Sequence, residues 1–178
     1  MTNRQSVPDQ KIMHRDQLAT IVQQRQDAGE RAVFTNGCFD LLHLGHVQYL
    51  QSARSLGDFL VLGLNNDASV LHLKGEGRPL VPEAERAEIL AALSCIDYVV
   101  IFPEPTASPL IELLQPKIYV KGSDYKMVGS LQPDLSRLPE AEVVMSYGGS
   151  VHLITYLPGH STTELIAKIQ RLPVRSRS

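Results

Sequence analysis

The run Phe59-Leu60-Val61-Leu62-Gly63-Leu64 is apolar at every position and stops abruptly at Asn65-Asn66-Asp67. A strand with one wet face alternates polar and apolar residues, whereas a strand covered on both faces, as in a parallel sheet, reads as a continuous apolar run. Shorter runs of the same kind occur at Ala32 to Thr35, Tyr98 to Phe102 and Ile118 to Val120. Parallel strands cannot be joined by tight hairpins and need crossovers, usually helical. The segments between the runs have helical spacing. The pattern predicts an α/β chain with a doubly wound parallel sheet between two helical layers. At 178 residues the length suits a single domain with its own core.

Punctuation places the remaining elements. His14 to Ala28 reads as a helix with Leu18, Ile21 and Val22 on one side and Gly29 as its stop. Gly45 to Ser55 reads as a second helix, with Val47, Leu50 and Ala53 inward and Gly57 after it. Asp67 is the expected cap of a short helix to Leu73. Pro82 is expected to open a helix through Leu93, since proline suits a first turn. Thr106 to Leu114 reads as a further helix. Glu142 to Met145 and Val151 to Tyr156 read as late strands around Tyr147-Gly148-Gly149. Ser161 to Arg171 closes the chain as a helix. The expected organisation is an N-terminal extension with one helix (1–30), a main domain (31–171) and a flexible tail (172–178).

Ligands of open α/β sheets bind beyond the carboxyl ends of the strands, and the polar clusters obey that rule. Thr35-Asn36-Gly37-Cys38-Phe39-Asp40-Leu41-Leu42-His43-Leu44-Gly45-His46 joins the first strand to the second helix. His43 and His46 stand three apart, on one face of the helix start. A helix N-terminus attracts anions through free N–H groups and the positive end of its dipole. The combination reads as a phosphate site with two imidazoles aimed at it. Net charge is −2, so no global field draws nucleic acid or an anionic membrane to the chain. Phosphate binding must then come from local groups. Two cysteines, Cys38 and Cys95, make no disulfide framework and fit a reducing, cytoplasmic setting. Cys38 reads as a small packing residue. The first residues lack the apolar stretch of a signal peptide, and no apolar run approaches membrane-spanning length.

His43-Leu44-Gly45-His46 resembles the signature of the HxGH nucleotidyltransferase superfamily, and the whole run TNGCFDLLHLGH resembles its cytidylyltransferase-like branch. Further segments agree in order. Lys74-Gly75, Arg78-Pro79 and Glu85-Arg86 look like the family's phosphate-binding lysine loop and the helix after it. Lys121-Gly122-Ser123-Asp124-Tyr125 resembles the KGxDY segment of the heptose branch, and Gly159-His160-Ser161-Thr162-Thr163 the GxSTT segment that opens the last helix. The resemblance covers about Arg31 to Ile169. It implies a Rossmann-like fold and, within the heptose branch, transfer of AMP from ATP to a heptose 1-phosphate. The products would be ADP-heptose and pyrophosphate, serving lipopolysaccharide-core synthesis. It also implies Mg²⁺ carried by the triphosphate, and a homo-oligomer, a dimer or larger.

The resemblance also implies roles for individual residues. His43, His46 and Lys74 act on the phosphates of ATP. Thr35, Asn36, Gly37, Cys38 and Phe39 line the nucleotide, and Gly45 allows it close to the helix start. Arg78 and Arg86 bind phosphate, although Arg86 can equally pair with Glu83. Lys121, Gly122 and Asp124 border the base or the heptose. Ser161, Thr162 and Thr163 combine hydroxyls with a helix N-terminus, serving as cap, ligand or both. Asp40 either orients its turn or meets the ligand, and Asn65 and Asp67 either cap or bind substrate hydroxyls. Some relatives carry an arginine just before the STT segment; here Tyr156-Leu157-Pro158-Gly159-His160 has none, and His160 stands in its place. Two rival readings remain: a CTP-dependent cytidylyltransferase for a small phosphorylated alcohol such as glycerol 3-phosphate, and a non-catalytic nucleotide-binding protein.

Overall fold

The computed structural model describes residues 10–123, 138–155 and 157–173. Among these residues, five strands, β1 (Ala32–Gly37), β2 (Phe59–Asn65), β3 (Tyr98–Phe102), β4 (Ile118–Ser123) and β5 (Ser150–Thr155), form one sheet. Seven helices among the described residues accompany them: α1 (Arg15–Asp27), α2 (Leu44–Arg54), α3 (Asp67–Lys74), α4 (Glu83–Ala91), α5 (Ser108–Leu114), α6 (Pro139–Ser146) and α7 (Thr162–Gln170). The strand order is β3-β2-β1-β4-β5 and every pairing is parallel. The order reverses between β1 and β4, where such sheets open a crevice for ligands.

Side chains alternate across each strand, and two apolar layers result. One face of the sheet packs Phe34, Phe59, Val61, Val100 and Tyr119 against Leu18 and Val22 of α1, Leu110, Ile111 and Leu114 of α5, and Ala141 and Val144 of α6. The other packs Val33, Leu60, Leu62, Leu64, Ile118 and Val120 against Tyr49, Leu50 and Ala53 of α2 and Ala87, Leu90 and Ala91 of α4. All seven residues of β2 are buried, as its unbroken apolar run requires. Val47, expected inward on α2, is only half-buried; Tyr49 takes the inward position.

Residues ahead of α1 cover one edge of the sheet. Val99 N–H of β3 donates to the Lys11 carbonyl at 2.8 Å, and Met13 N–H donates to the Val99 carbonyl at 2.9 Å. The Lys11 ammonium reaches the Leu93 and Ile96 carbonyls at 3.1 and 2.8 Å. An open strand edge invites pairing with another chain, and this short parallel bridge occupies that of β3. Arg25 of α1 lies 3.9 Å over the Phe59 ring and pairs with Glu30, fixing the helix to the sheet.

Two local expectations are corrected. Glu142 to Met145 is part of helix α6, not a strand. Pro139 sits in the first turn with Glu140 and Glu142, where proline and carboxylates favour a helix start. Ala141 and Val144, three apart, then meet the core on one face. The cap of α3 is Asn66, whose side chain accepts from Ser69 N–H at 2.8 Å; Asp67 is the first helical residue and serves another partner. Among the described residues, no helix is long and apolar enough to cross a membrane.

Candidate active site

A cleft of about 360 Å³ opens over the carboxyl ends of β1, β2 and β4. Asn36, Gly37, Cys38, Phe39 and Asp40 form its floor; His46 and Tyr49 come from α2, Leu73 and Lys74 from the end of α3, Arg78 from the loop beyond, Lys121 and Gly122 from β4, and Thr162 and Thr163 from the start of α7. Its volume is within the ordinary range for small-ligand sites. Residues from well-separated sequence segments thus meet at the switch point of the sheet.

Local sequence shapes the floor. Phe39 has φ +45°, a left-handed conformation that is rare for a bulky side chain and costs on the order of 1–3 kcal/mol. That turn lays its ring against Gly37, where a Cβ would come 2.9 Å from the ring. The same ring lies 5.2 Å from the His46 imidazole, centroid to centroid. Asp40, 4% exposed, accepts from Leu80 N–H at 2.7 Å, Val81 N–H at 2.9 Å and Arg78 Nε at 2.5 Å. One carboxylate therefore clamps the loop beyond Lys74 onto the loop beyond β1. These contacts orient the turn, and Asp40 also lines the cleft.

His43 and His46 stack, with ring centroids 3.8 Å apart and planes 22° apart. Neither Nδ1 atom, both buried, has a hydrogen-bond partner among the described residues. Gly45 permits this arrangement: a Cβ there would lie 3.1 Å from both the His43 ring and the His160 carbonyl oxygen. The room left by Gly45 is thus filled by His43 and by the loop leading to α7. Burial pushes the His46 imidazole down to about 4, with the neighbouring His43 acting in the same direction and the Leu41 carbonyl opposing. His43 is also lowered, by burial first and then by His160, against Glu164. Both rings are neutral donor–acceptors at neutral pH.

Burial of His46 also makes stability depend on pH. An unfolded histidine binds a proton near its ordinary value of 6.5, and folded His46 does so only near 4, so between those values the unfolded chain holds more protons. Stability is present in full above pH 6.5 and is lost as pH falls toward 4. The loss is expected to be about 1–2 kcal/mol, after discounting the shift for the ring's partial exposure. Urea midpoints at about pH 7.5, above that window, and at about pH 4.5, near its lower end, check it. The His46→Gln variant should lose most of the difference seen in the wild type, and equal wild-type midpoints would refute it.

The cations divide into those that face the cleft and one that does not. Lys74 and Arg78 line it on the α3 side, Lys121 on the β4 side. Burial lowers the Lys121 ammonium from its ordinary value; Glu140 and Cys38 oppose that shift and Lys74 adds to it. Burial raises the Cys38 thiol against the pull of Lys74, Arg86, Lys121 and Arg78, so it stays protonated. Arg86 does not line the cleft. It is 1% exposed and donates to the carbonyls of Val81 at 2.9 Å, Cys38 at 2.6 Å and Asn65 at 3.0 Å, and to the Asp67 carboxylate at 2.6 Å. Glu83, the partner suggested by its spacing, instead accepts from Asp67 N–H at 2.7 Å. Arg86 is a strut beneath the floor, tying β1, β2, α3 and α4 together.

Other expected ligands also serve as framework. Thr35 is fully buried, and its hydroxyl lies 2.6 Å from the Tyr49 hydroxyl, which donates to the Val120 carbonyl at 3.1 Å. Ser161 caps α7, accepting from Glu164 N–H at 3.1 Å, and leaves Thr162 and Thr163 toward the cleft. Asn65, at the end of β2, lines the cleft and also donates to Ser69 Oγ at 3.3 Å. Asp124 lies outside the described residues. Tyr49 and Leu73 line the cleft without having been expected there; Tyr49 stands three residues after His46, on the same helix face, which is the signal that marks it. Among the described residues, no group of three or more histidines, cysteines or carboxylates is placed to hold a metal ion.

Known proteins are similar to this chain in sequence and in architecture. Residues 34–168 match the model of the family described as cytidylyltransferase-like. The chain is 58% identical over 163 residues to the bifunctional protein HldE of Geobacter metallireducens, covering 92% of this chain and 32% of that protein. It is 48% identical over 162 residues to the bifunctional protein HldE of Methylobacillus flagellatus, covering 89% of this chain and 31% of that one. The chain therefore spans about a third of the length of these curated relatives. A crystal structure of the lipopolysaccharide core biosynthesis protein from Thermoplasma volcanium superposes with a TM-score of 0.57 at 25% identity, covering 72% of this chain and 97% of that one. A parallel sheet ordered 3-2-1-4-5, an HxGH turn at its switch point and a family match over most of its length lead to one conclusion: this chain belongs to the cytidylyltransferase-like family.

Proposed function

We propose that this chain transfers AMP from ATP to a heptose 1-phosphate, giving ADP-heptose and pyrophosphate. The observation that carries the reading is the convergence, on one cleft at the switch point, of His46, Lys74, Arg78, Lys121, Thr162 and Thr163. Every one of these can donate to phosphate oxygen at neutral pH. No nucleophilic side chain paired with a base is needed, and Cys38 is held as a thiol. The heptose preference rests on the KGSDY segment, on the similarity to proteins described as bifunctional HldE, and on the neighbour described as a lipopolysaccharide core biosynthesis protein.

In this reading a phosphate oxygen of the acceptor attacks the α-phosphorus of ATP. The new O–P bond forms as the bond from the α-phosphorus to the bridging oxygen breaks, and pyrophosphate leaves with that electron pair. The attacking oxygen is already anionic, so no proton must be removed. The protein's task is to hold two anions in line and to stabilise charge that moves onto the leaving group. His43 and His46 sit at the start of α2, whose N–H groups add to their donors. Lys74 and Arg78 approach from the facing loop, which Asp40 anchors. Thr162 and Thr163 bring a second helix start to the same space. Mg²⁺ belongs to the substrate here: a triphosphate supplies the oxygen ligands this hard cation prefers, and the described residues build no cage of their own.

Pyrophosphate release measured with ATP and CTP, over a panel of sugar 1-phosphates and polyol phosphates, tests the proposal. The expected result is turnover with ATP and a heptose 1-phosphate. Turnover with CTP and glycerol 3-phosphate alone would replace it by the cytidylyltransferase reading that the family's description favours. Nucleotide binding without turnover on any acceptor would favour the non-catalytic reading.

A further inference from the structure

The cleft has two chemically different walls, and strand alternation separates them. Thr35 points to the α2 side, where it meets Tyr49. Its neighbour Asn36 points to the opposite side of the sheet, with Phe34, Tyr119 and Lys121. Phe34 pairs with Tyr119 in register, their rings stack at 6.1 Å, and Asn36 and Lys121 each lie two residues further along their strands. At this point the Asn36 side-chain oxygen accepts from the Tyr119 hydroxyl at 2.9 Å and from the Lys121 ammonium at 3.0 Å.

That pair of contacts decides which way the Asn36 amide faces. An ammonium group can only donate, so the Asn36 atom beside Lys121 Nζ must be the oxygen. With its oxygen engaged by two donors, the amide turns its NH₂ away from them. Asn36 and Lys121 both line the cleft. Tyr119 does not: it is fully buried in the apolar layer beneath. On this wall the Asn36 NH₂ and the remaining N–H bonds of Lys121 are all donors, and the oxygen that would otherwise accept is already occupied.

We propose that Tyr119 is a positioning residue that holds Asn36 with its NH₂ toward the cleft, so that Asn36 and Lys121 together receive the phosphate of the acceptor. The inference rests on the nucleotidyl-transfer reading, since it assigns this wall to the acceptor and the α2–α3 wall to ATP. Two donors side by side favour a group made only of acceptors. A phosphate fits; a hydroxyl or an amino group gains far less. Recognition thus begins with the phosphate of the acceptor and is independent of the stereochemistry of the sugar behind it. A phosphorylated acceptor is selected over its unphosphorylated counterpart even when the remainder of the molecule is identical.

Tyr119→Phe removes one hydroxyl and keeps the ring, and Asn36→Asp exchanges the NH₂ for a carboxylate oxygen without changing shape. The acceptor KM is expected to rise about tenfold in Tyr119→Phe, the loss of one orienting hydrogen bond. In Asn36→Asp it should rise by more than about a hundredfold, because an anion then faces an anion. The affinity for a non-hydrolysable ATP analogue, measured by calorimetry, should stay within about twofold in both. A purely structural role for Tyr119 would instead lower the melting temperature and weaken both substrates together. Calorimetric binding of the sugar phosphate to analogue-loaded protein gives the same comparison without turnover. If Tyr119→Phe fails to fold, Asn36→Asp, at the cleft surface, carries the test. An unchanged acceptor KM, or an equal loss of ATP affinity, overturns the inference. If the wild type uses another phosphate ester and rejects heptose 1-phosphate, the proposed substrate is wrong and the same split is read on that ester. If an unphosphorylated acceptor serves equally well, this inference alone fails.

Discussion

His46→Ala is expected to lower kcat by about a thousandfold while the fold persists, the usual scale for removing one preorganised donor from a site of charge development. The physical basis is the cost of preparing that donor. His46 is held neutral by burial, stacks on His43 at 3.8 Å and has its Nδ1 unpartnered among the described residues. A group placed this way has shed its water before the substrate arrives, so little reorganisation accompanies the reaction. Truncation removes the donor and also the surface against which His43 and Phe39 rest. Rapid-quench measurement of AMP transfer at saturating ATP, beside circular dichroism of the same sample, separates chemistry from folding. Activity within about tenfold of the wild type would remove His46 from the reacting centre.

Arg86→Met is expected to destabilise the protein by about 3–5 kcal/mol, the range for stripping one partner from a buried ionic network. Methionine fills most of the volume but donates nothing. It would strand the carbonyls of Val81, Cys38 and Asn65 and leave Asp67 without its guanidinium. Arg86→Lys should recover little of the loss, because a compact ammonium cannot span four acceptors set around a planar fork. Asp67 is 41% exposed at its side chain, so water can solvate it in the variant; most of the penalty comes from the carbonyls. Urea denaturation reads the effect. A phosphate ligand would behave in the opposite way, with stability kept and ATP binding lost, and that result would return Arg86 to the cleft.

These two residues show what the sequence can reveal and where it is silent. The strands are plain because a strand covered on both faces has no polar positions to confuse its reading; β3 runs from Tyr98 to Phe102, as the apolar run indicates. The histidines are plain because their spacing and the neighbouring glycine leave few alternatives. Arg86 is ambiguous because side-chain chemistry does not state direction. A guanidinium serves equally well as a phosphate clamp in solvent or as a strut below it. One clue is that Arg86 and Leu90 are four apart on the buried face of α4. Helix α6 is misread because Val143 and Val144 favour strands intrinsically, whereas the contact of Ala141 and Val144 with the core decides the outcome. Asn66 and Asp67 are both good capping residues, and only backbone geometry distinguishes them. The Tyr119 contact to Asn36 joins residues 83 positions apart and has no local signature at all.

The strand order bears on how such a chain diversifies. β1 and β4 are neighbours in the sheet, yet α2, which follows β1, and α6, which comes after β4, pack on opposite faces of it. The paired histidines follow β1, Lys74 and Arg78 follow β2, and Lys121 belongs to β4 itself. Substitutions on β4 can therefore alter the Lys121 wall of the cleft while the described contacts of Arg86, to Val81, Cys38, Asn65 and Asp67, are kept. Substrate range and reaction chemistry become separately heritable. One lineage can keep the HxGH turn intact while changing what the β4 side of the same seam receives.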